Sequence, residues 1–142
     1  MEIYTKDHKP RQEGAIPRVV SEENGCKHIG INERRHEVRQ FKVDGGIIRG
    51  TTVSRCDYLV VNDTARRTYF IELKGSDVKK AMGQLDNTLA MVRDLKGYAA
   101  FLRIVFRGTV NITNAERAKW ENKHGGRVKI KRNIIEESIC DD

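Results

Sequence analysis

The sequence predicts an α/β fold, a mixed central β-sheet flanked by helices, and three observations carry that expectation. Two apolar stretches, RCDYLVV (55–61) and TYFIELK (68–74), read as strands separated by the polar, turn-forming NDTARR. Residues 77–96 place Val78, Ala81, Met82, Leu85, Leu89 and Val92 at helical spacing, which makes one apolar stripe. A further apolar stretch, AAFLRIVF (99–106), then precedes a second helical segment and a basic strand.

In chain order, residues 1–20 hold both prolines, Pro10 and Pro17, and many charges, and read as an irregular N-terminal arm. Residues 21–142 follow as a single domain. Its first piece, SEENGCKHI (21–29), reads as a short helix capped by Ser21 and weakened by Gly25. Residues 37–43 alternate, with Val38, Gln40 and Lys42 on one side and Arg39, Phe41 and Val43 on the other. Asp44-Gly45-Gly46 supplies a turn, and a strand resumes at Ile47-Ile48. The long helix is capped by Ser76 or Asp77 and stopped by Gly97. The second helix starts with Asn114 as cap and ends at Gly125-Gly126, ahead of a strand at 127–131.

The chain has 142 residues, 38% hydrophobic and 33% charged, with a net charge of +7. Four of its 20 acids fall in the last seven residues, so 16 acids face 27 bases ahead of them and that body carries +11. Such a balance favours a polyanionic partner, most simply nucleic acid. No apolar run approaches the roughly 20 residues of a membrane span, and the chain start lacks a leader pattern, so a cytoplasmic location is expected. Three cysteines, Cys26, Cys56 and Cys140, form no disulfide framework, and the CxxC pairs of a zinc site are missing.

Glu72 and Lys74 interrupt an apolar strand two residues apart, and Gly75 follows at its exit. If the hairpin loop is centred between Thr64 and Ala65, Asp57 stands opposite Glu72, and Arg55 stands opposite Lys74 on the same face. Two carboxylates about 5 Å apart repel by roughly 3 kcal/mol at an effective dielectric near 20. A divalent cation relieves that repulsion; Mg²⁺ suits two carboxylates plus a phosphate, and Mn²⁺ is its natural substitute. Lys74 beside such a site can orient or deprotonate a water, or stabilise charge in a phosphorane-like transition state. The combination suits phosphodiester hydrolysis. The bland alternative is an exposed Glu72–Lys74 ion pair worth about 0–1 kcal/mol.

With CDYLVV, YFIELKG and SDVKKAMGQL in this order, the sequence resembles the PD-(D/E)XK nuclease superfamily, well over 55–85 and more loosely over 21–106. Cys56 stands where the motif's proline would be. The resemblance implies a restriction-endonuclease-like core and a Mg²⁺-dependent deoxyribonuclease. In it Asp57 and Glu72 bind the metal, Lys74 is the catalytic lysine, and Gln84 supports the site from the helix. It also implies an acid from the first helix, Glu22 in preference to Glu23. Arg34, Arg35, Arg39, Arg55, Lys79 and Lys80 would then hold the DNA backbone. Small members often pair to cut both strands, which makes a homodimer an option. Two other functions compete: a non-catalytic nucleic-acid-binding or regulatory protein on the same fold, and a module whose basic surface binds an acidic protein.

Overall fold

A computed structural model describes residues 2–44, 46 and 55–141 of the chain. A single 3₁₀ turn at Thr5–Asp7 leads into β1 (Gln12–Gly14), β2 (Arg18–Glu23), β3 (Cys26–Ile31) and β4 (Val38–Lys42). There follow β5 (Tyr58–Asn62), β6 (Arg67–Lys74), α1 (Val78–Met91), β7 (Ala99–Phe106), α2 (Asn114–Lys123), β8 (Val128–Arg132) and β9 (Ile134–Ser138). The fold is α/β, and its larger sheet is mixed. That sheet has six strands in the order β1-β4-β5-β6-β7-β8, and β2-β3-β9 form a second sheet of three. β1 to β6 pair antiparallel along the order, whereas β6, β7 and β8 run parallel, linked by the crossovers through α1 and α2.

Strand alternation divides the core into two layers. Phe41, Leu59, Val61, Phe70, Leu102, Ile104 and Ile130 face the helices and pack with Val78, Ala81 and Leu85 of α1 and Trp120 of α2. Val38, Val60, Tyr69, Ile71, Leu73, Phe101 and Val105 face the small sheet and meet Val19, Cys26, Ile135 and Ile139. All three cysteines are buried free thiols. Among the described residues no helix is long and apolar enough to cross a membrane.

The β5–β6 hairpin has the expected register: Tyr58 pairs with Ile71 and Asn62 with Arg67. β7 spans the expected 99–106, and α2 starts one residue earlier than expected because Thr113, in a reciprocal capping box with Glu116, is the cap in place of Asn114. The anticipated strand at Ile47-Ile48 lies outside the described residues.

Three expectations are corrected. Residues 21–29 are not a helix but most of the β2–β3 hairpin. Its turn is Asn24-Gly25, with φ of 55° and 74°, the left-handed pair that matches strand twist. Residues 2–20 are not an irregular arm throughout, because they contribute β1 and the first half of β2. Their first residues also explain why α1 stops at Met91 rather than near Gly97. Ile3 donates to Met91 O at 2.8 Å and accepts from Arg93 N at 2.8 Å, drawing Val92 out of the helix into a parallel bridge. Asp94 secures this docking by accepting from Thr5 N, Thr5 Oγ1 and Lys6 N. The acid-rich C-terminus, for which the sequence predicts no element, carries β9, which pairs parallel to β3.

Ile139, just past β9, is fully buried, and a Cβ added at Gly30 would lie 2.9 Å from its Cγ2. The C-terminus is therefore core. Ile139→Ala should cost about 2–5 kcal/mol in urea unfolding, whereas a solvated tail would tolerate it.

Candidate active site

The acids meet where the chain enters β5 and leaves β6. Asp57 immediately precedes β5, and its backbone is fixed twice: its N–H donates to Ile71 O at 3.1 Å and its C=O accepts from Val43 N at 2.8 Å. Its carboxylate Oδ2 accepts from Leu73 N at 2.8 Å. α1 braces the preceding residues. Thr88 Oγ1 accepts from Cys56 N at 2.8 Å, and Gln84 Nε2 donates to Arg55 O at 3.2 Å. The site acid on the neighbouring strand, Glu72, is 1% exposed and points to the helix side of the sheet, like Phe70 two residues before it.

Asp57 and Glu72 are near enough for the Asp57 charge to bear on Glu72, and the Glu23 charge bears on Asp57 in the same way. Lys74 Nζ lies 3.4 Å from Glu72 Oε2. Glu72 Oε1 and Gln84 Oε1 are buried acceptors without a hydrogen-bond partner. Burial, and then the Asp57 charge, push the Glu72 carboxyl up to about 8. Burial likewise pushes Asp57 up to about 6, against the donation from Leu73 N. Lone pairs that no protein donor satisfies, beside two carboxyls reluctant to ionise together, are groups that a cation could satisfy.

The expected first-helix acid comes from a strand instead. Alternation along β2 turns Val19, Ser21 and Glu23 inward and leaves Glu22 outside, with 54% of its side chain exposed and 3.2 Å from Lys27. Glu23 is thus the acid that reaches Asp57. Burial would raise its pKa, but the hydrogen bond from Lys42, the contact with Asp57 and the Lys42 charge together outweigh this and lower it. Lys42 Nζ sits 2.7 Å from Glu23 Oε2 and 3.9 Å from Asp57 Oδ1. Its own pKa is raised, since the two acids outweigh its burial. Lys42 was not anticipated as part of the site. The alternating pattern gave its strand, but the partner across the sheets is a tertiary contact.

The basic residues divide. Lys79 and Lys80 open α1 just beyond Lys74, with Lys79 paired to Glu116 at 3.2 Å. Arg107, also unanticipated, donates its backbone N–H to Lys74 O at 3.2 Å. Arg55 is 8% exposed and holds Asp44 at 3.0 Å, so it is a bracing residue more than a surface contact. Arg39 forks onto Asp63 at 2.7 and 3.0 Å. Arg34 and Arg35 follow β3 at the far end of the sheets, where Asn32 holds His36, and His36 holds Asn62, the partner of Arg67 at the start of β6. They do not gather around Glu72.

Among the described residues no group of three or more His, Cys, Asp or Glu forms a ready metal shell. The donor set nevertheless fits a hard ion that keeps waters: two carboxylates and the unpaired amide oxygen of Gln84. Comparison with known proteins decides nothing further, since no family model, curated protein or solved structure matches the chain.

Both raised carboxyls hold protons in the folded state at pH values where unfolded Asp and Glu have lost them. Their contribution therefore favours folding at low pH and erodes as pH rises through about 6 for Asp57 and about 8 for Glu72. In EDTA, the part of the melting temperature that depends on Glu72 should fall between pH 5 and 9. Glu72→Gln, neutral throughout, should flatten that fall when the two melting curves are compared.

Proposed function

We propose that the chain is a Mg²⁺-dependent nuclease hydrolysing phosphodiester bonds of DNA on a restriction-endonuclease-like core. The carrying observation is the pair of buried carboxyls, Asp57 held by Leu73 N–H and Glu72 with an unpaired Oε1, beside the unpaired Gln84 Oε1 and Lys74 at 3.4 Å. The order of elements supports it too: an antiparallel β4-β5-β6 meander, then α1 and a parallel β7, carries the acid, the Glu-x-Lys and the glutamine.

In this reading Asp57 and Glu72 hold the ion, with the Gln84 amide oxygen beside them. A bound Mg²⁺ would supply Lewis-acid stabilisation of phosphoryl oxygen charge and lower the pKa of a water. Asp57 is pre-set for its role by the Leu73 N–H, which fixes one carboxylate oxygen at 2.8 Å. Lys74 donates hydrogen bonds to the attacking water and to charge accumulating on the phosphoryl group, and Glu72 steers its ammonium from 3.4 Å. Glu23 and Lys42 form the outer wall, where Glu23 sets the proton balance of Asp57 and Lys42 offsets their charge. Lys79 and Lys80 position the backbone on either side of the scissile group. A homodimer would allow both strands to be cut.

One observation favours a second reading. Lys42 already neutralises part of the acid cluster from within, as a non-catalytic nucleic-acid binder would require.

Incubation with supercoiled, linear, single-stranded and branched DNA, with Mg²⁺ or EDTA, separates the two. The nuclease should cut only with the ion, and Glu72→Ala or Lys74→Ala should each slow cutting by about 100-fold or more. Glu23→Gln should also slow it, while Glu22→Gln should leave it unchanged. Binding without cleavage of any substrate would sink the nuclease and leave the binder.

A further inference from the structure

A second cleft of about 570 Å³ lies at the other end of the large sheet, on the face turned away from α1. That volume is in the range of small-molecule sites. It is formed where β6, β7 and β8 begin, and alternation sends Arg67, Phe101, Arg103, Arg127 and Lys129 into it from three neighbouring strands. Phe101 is the floor, stacked on Tyr69 at a centroid distance of 5.0 Å. The guanidinium carbons of Arg67, Arg103 and Arg127 lie 4.2, 5.4 and 5.7 Å from the centre of that one ring. Cation–π attraction holds each group there, but it does nothing about the repulsion among them.

Among the described residues, the two acids of the cleft, Glu137 and Asp141, are each paired. Glu137 accepts from Arg103 Nε at 2.7 Å and Nη2 at 3.1 Å, from Lys129 Nζ at 3.0 Å, and faces His28 Nε2 at 2.8 Å. Asp141 is paired with Arg34 at 2.6 Å. Arg127 is exposed and makes no ion pair among the described residues. Arg103, only 5% exposed, is locked by its fork to Glu137, so the floor is rigid before any ligand arrives. Gly125 and Gly126 form part of the rim, where an added Cβ would meet nothing within 4 Å, so the mouth is open.

We propose that this cleft binds a phosphate-bearing small molecule of about mononucleotide size. Arg127 presents forked donors to the phosphate, the geometry in which guanidinium outperforms an ammonium, while Arg67, whose Nε donates to the Tyr69 hydroxyl at 3.0 Å, adds positive charge beside it. Lys129 adds charge at the edge, and the Arg103–Glu137 pair keeps the Phe101 floor in place. The site is independent of the acid cluster. Arg67 and Lys74 bracket β6, seven residues or about 23 Å apart along the strand and on opposite faces.

Isothermal titration with adenosine monophosphate, inorganic phosphate as competitor and a 12-nucleotide single strand tests the proposal. The monophosphate should bind saturably and be displaced by phosphate. Arg127→Gln should weaken it at least tenfold, with Arg127→Lys intermediate and Glu72→Gln without effect. Unchanged thermal unfolding of Arg127→Gln, whose side chain is exposed, separates lost contact from lost fold. Three results would overturn the proposal: no saturable binding of the monophosphate, binding that survives Arg127→Gln, or binding of the oligonucleotide alone, which would make the cleft a nucleic-acid track.

Discussion

The hydrogen bond from Leu73 N–H to Asp57 Oδ2 ties the end of β6 to the residue that opens β5, and much of the candidate site follows from it. A backbone donor cannot move without breaking strand pairing, so the Asp57 carboxylate is fixed relative to the hairpin register. That register in turn sets Glu72 on the same side of the sheet, where α1 covers it. The protein thus holds two carboxyls together in a place from which water is largely excluded. Left to itself the pair binds protons, which is why both carboxyls titrate high. Lys74 and Lys42 each reach one edge of the cluster, but neither supplies a donor to Glu72 Oε1.

Charge is sorted along the molecule. β6 begins with Arg67, beside the arginines gathered on Phe101, and ends with Glu72 and Lys74 at the acid cluster. The two concentrations lie on opposite faces and opposite ends of one sheet, separated by its apolar middle, so neither cancels the other. A net charge of +7 conceals this arrangement. At each end a minority of opposite charges braces the cluster: Glu137 holds Arg103 and Lys129 at one, and Lys42 and Lys74 meet Glu23 and Glu72 at the other.

The local parts of this picture were legible in the sequence. Asn62, Asp63 and Thr64 announce the hairpin turn, and centring the loop after Thr64 gives the observed pairing of Tyr58 with Ile71. The apolar stripe of α1 and the bounds of β7 were equally readable. The β2–β3 hairpin was not, because Ser21 followed by two glutamates imitates a helix start; the decisive signal was Asn24-Gly25, a turn pair that was available but outweighed. That choice also decided between the two acids. A helix leaves Glu22 and Glu23 equivalent, whereas a strand turns only one of them inward. β9 went unpredicted, since its two glutamates give no local sign of a strand and Glu137 finds its partners, Arg103 and His28, only in the folded chain. The early end of α1 depends on Ile3, some ninety residues away, and no local pattern could reveal it.

The central claim is that a divalent ion replaces a proton between Asp57 and Glu72. Calorimetric titration of the chain with Mn²⁺ at pH 7, in buffers of different ionisation enthalpy, measures both events at once. The account predicts saturable binding with about one proton released for each ion bound, and loss of both in Glu72→Gln. No binding, or binding with no proton released and no sensitivity to Glu72, would contradict it.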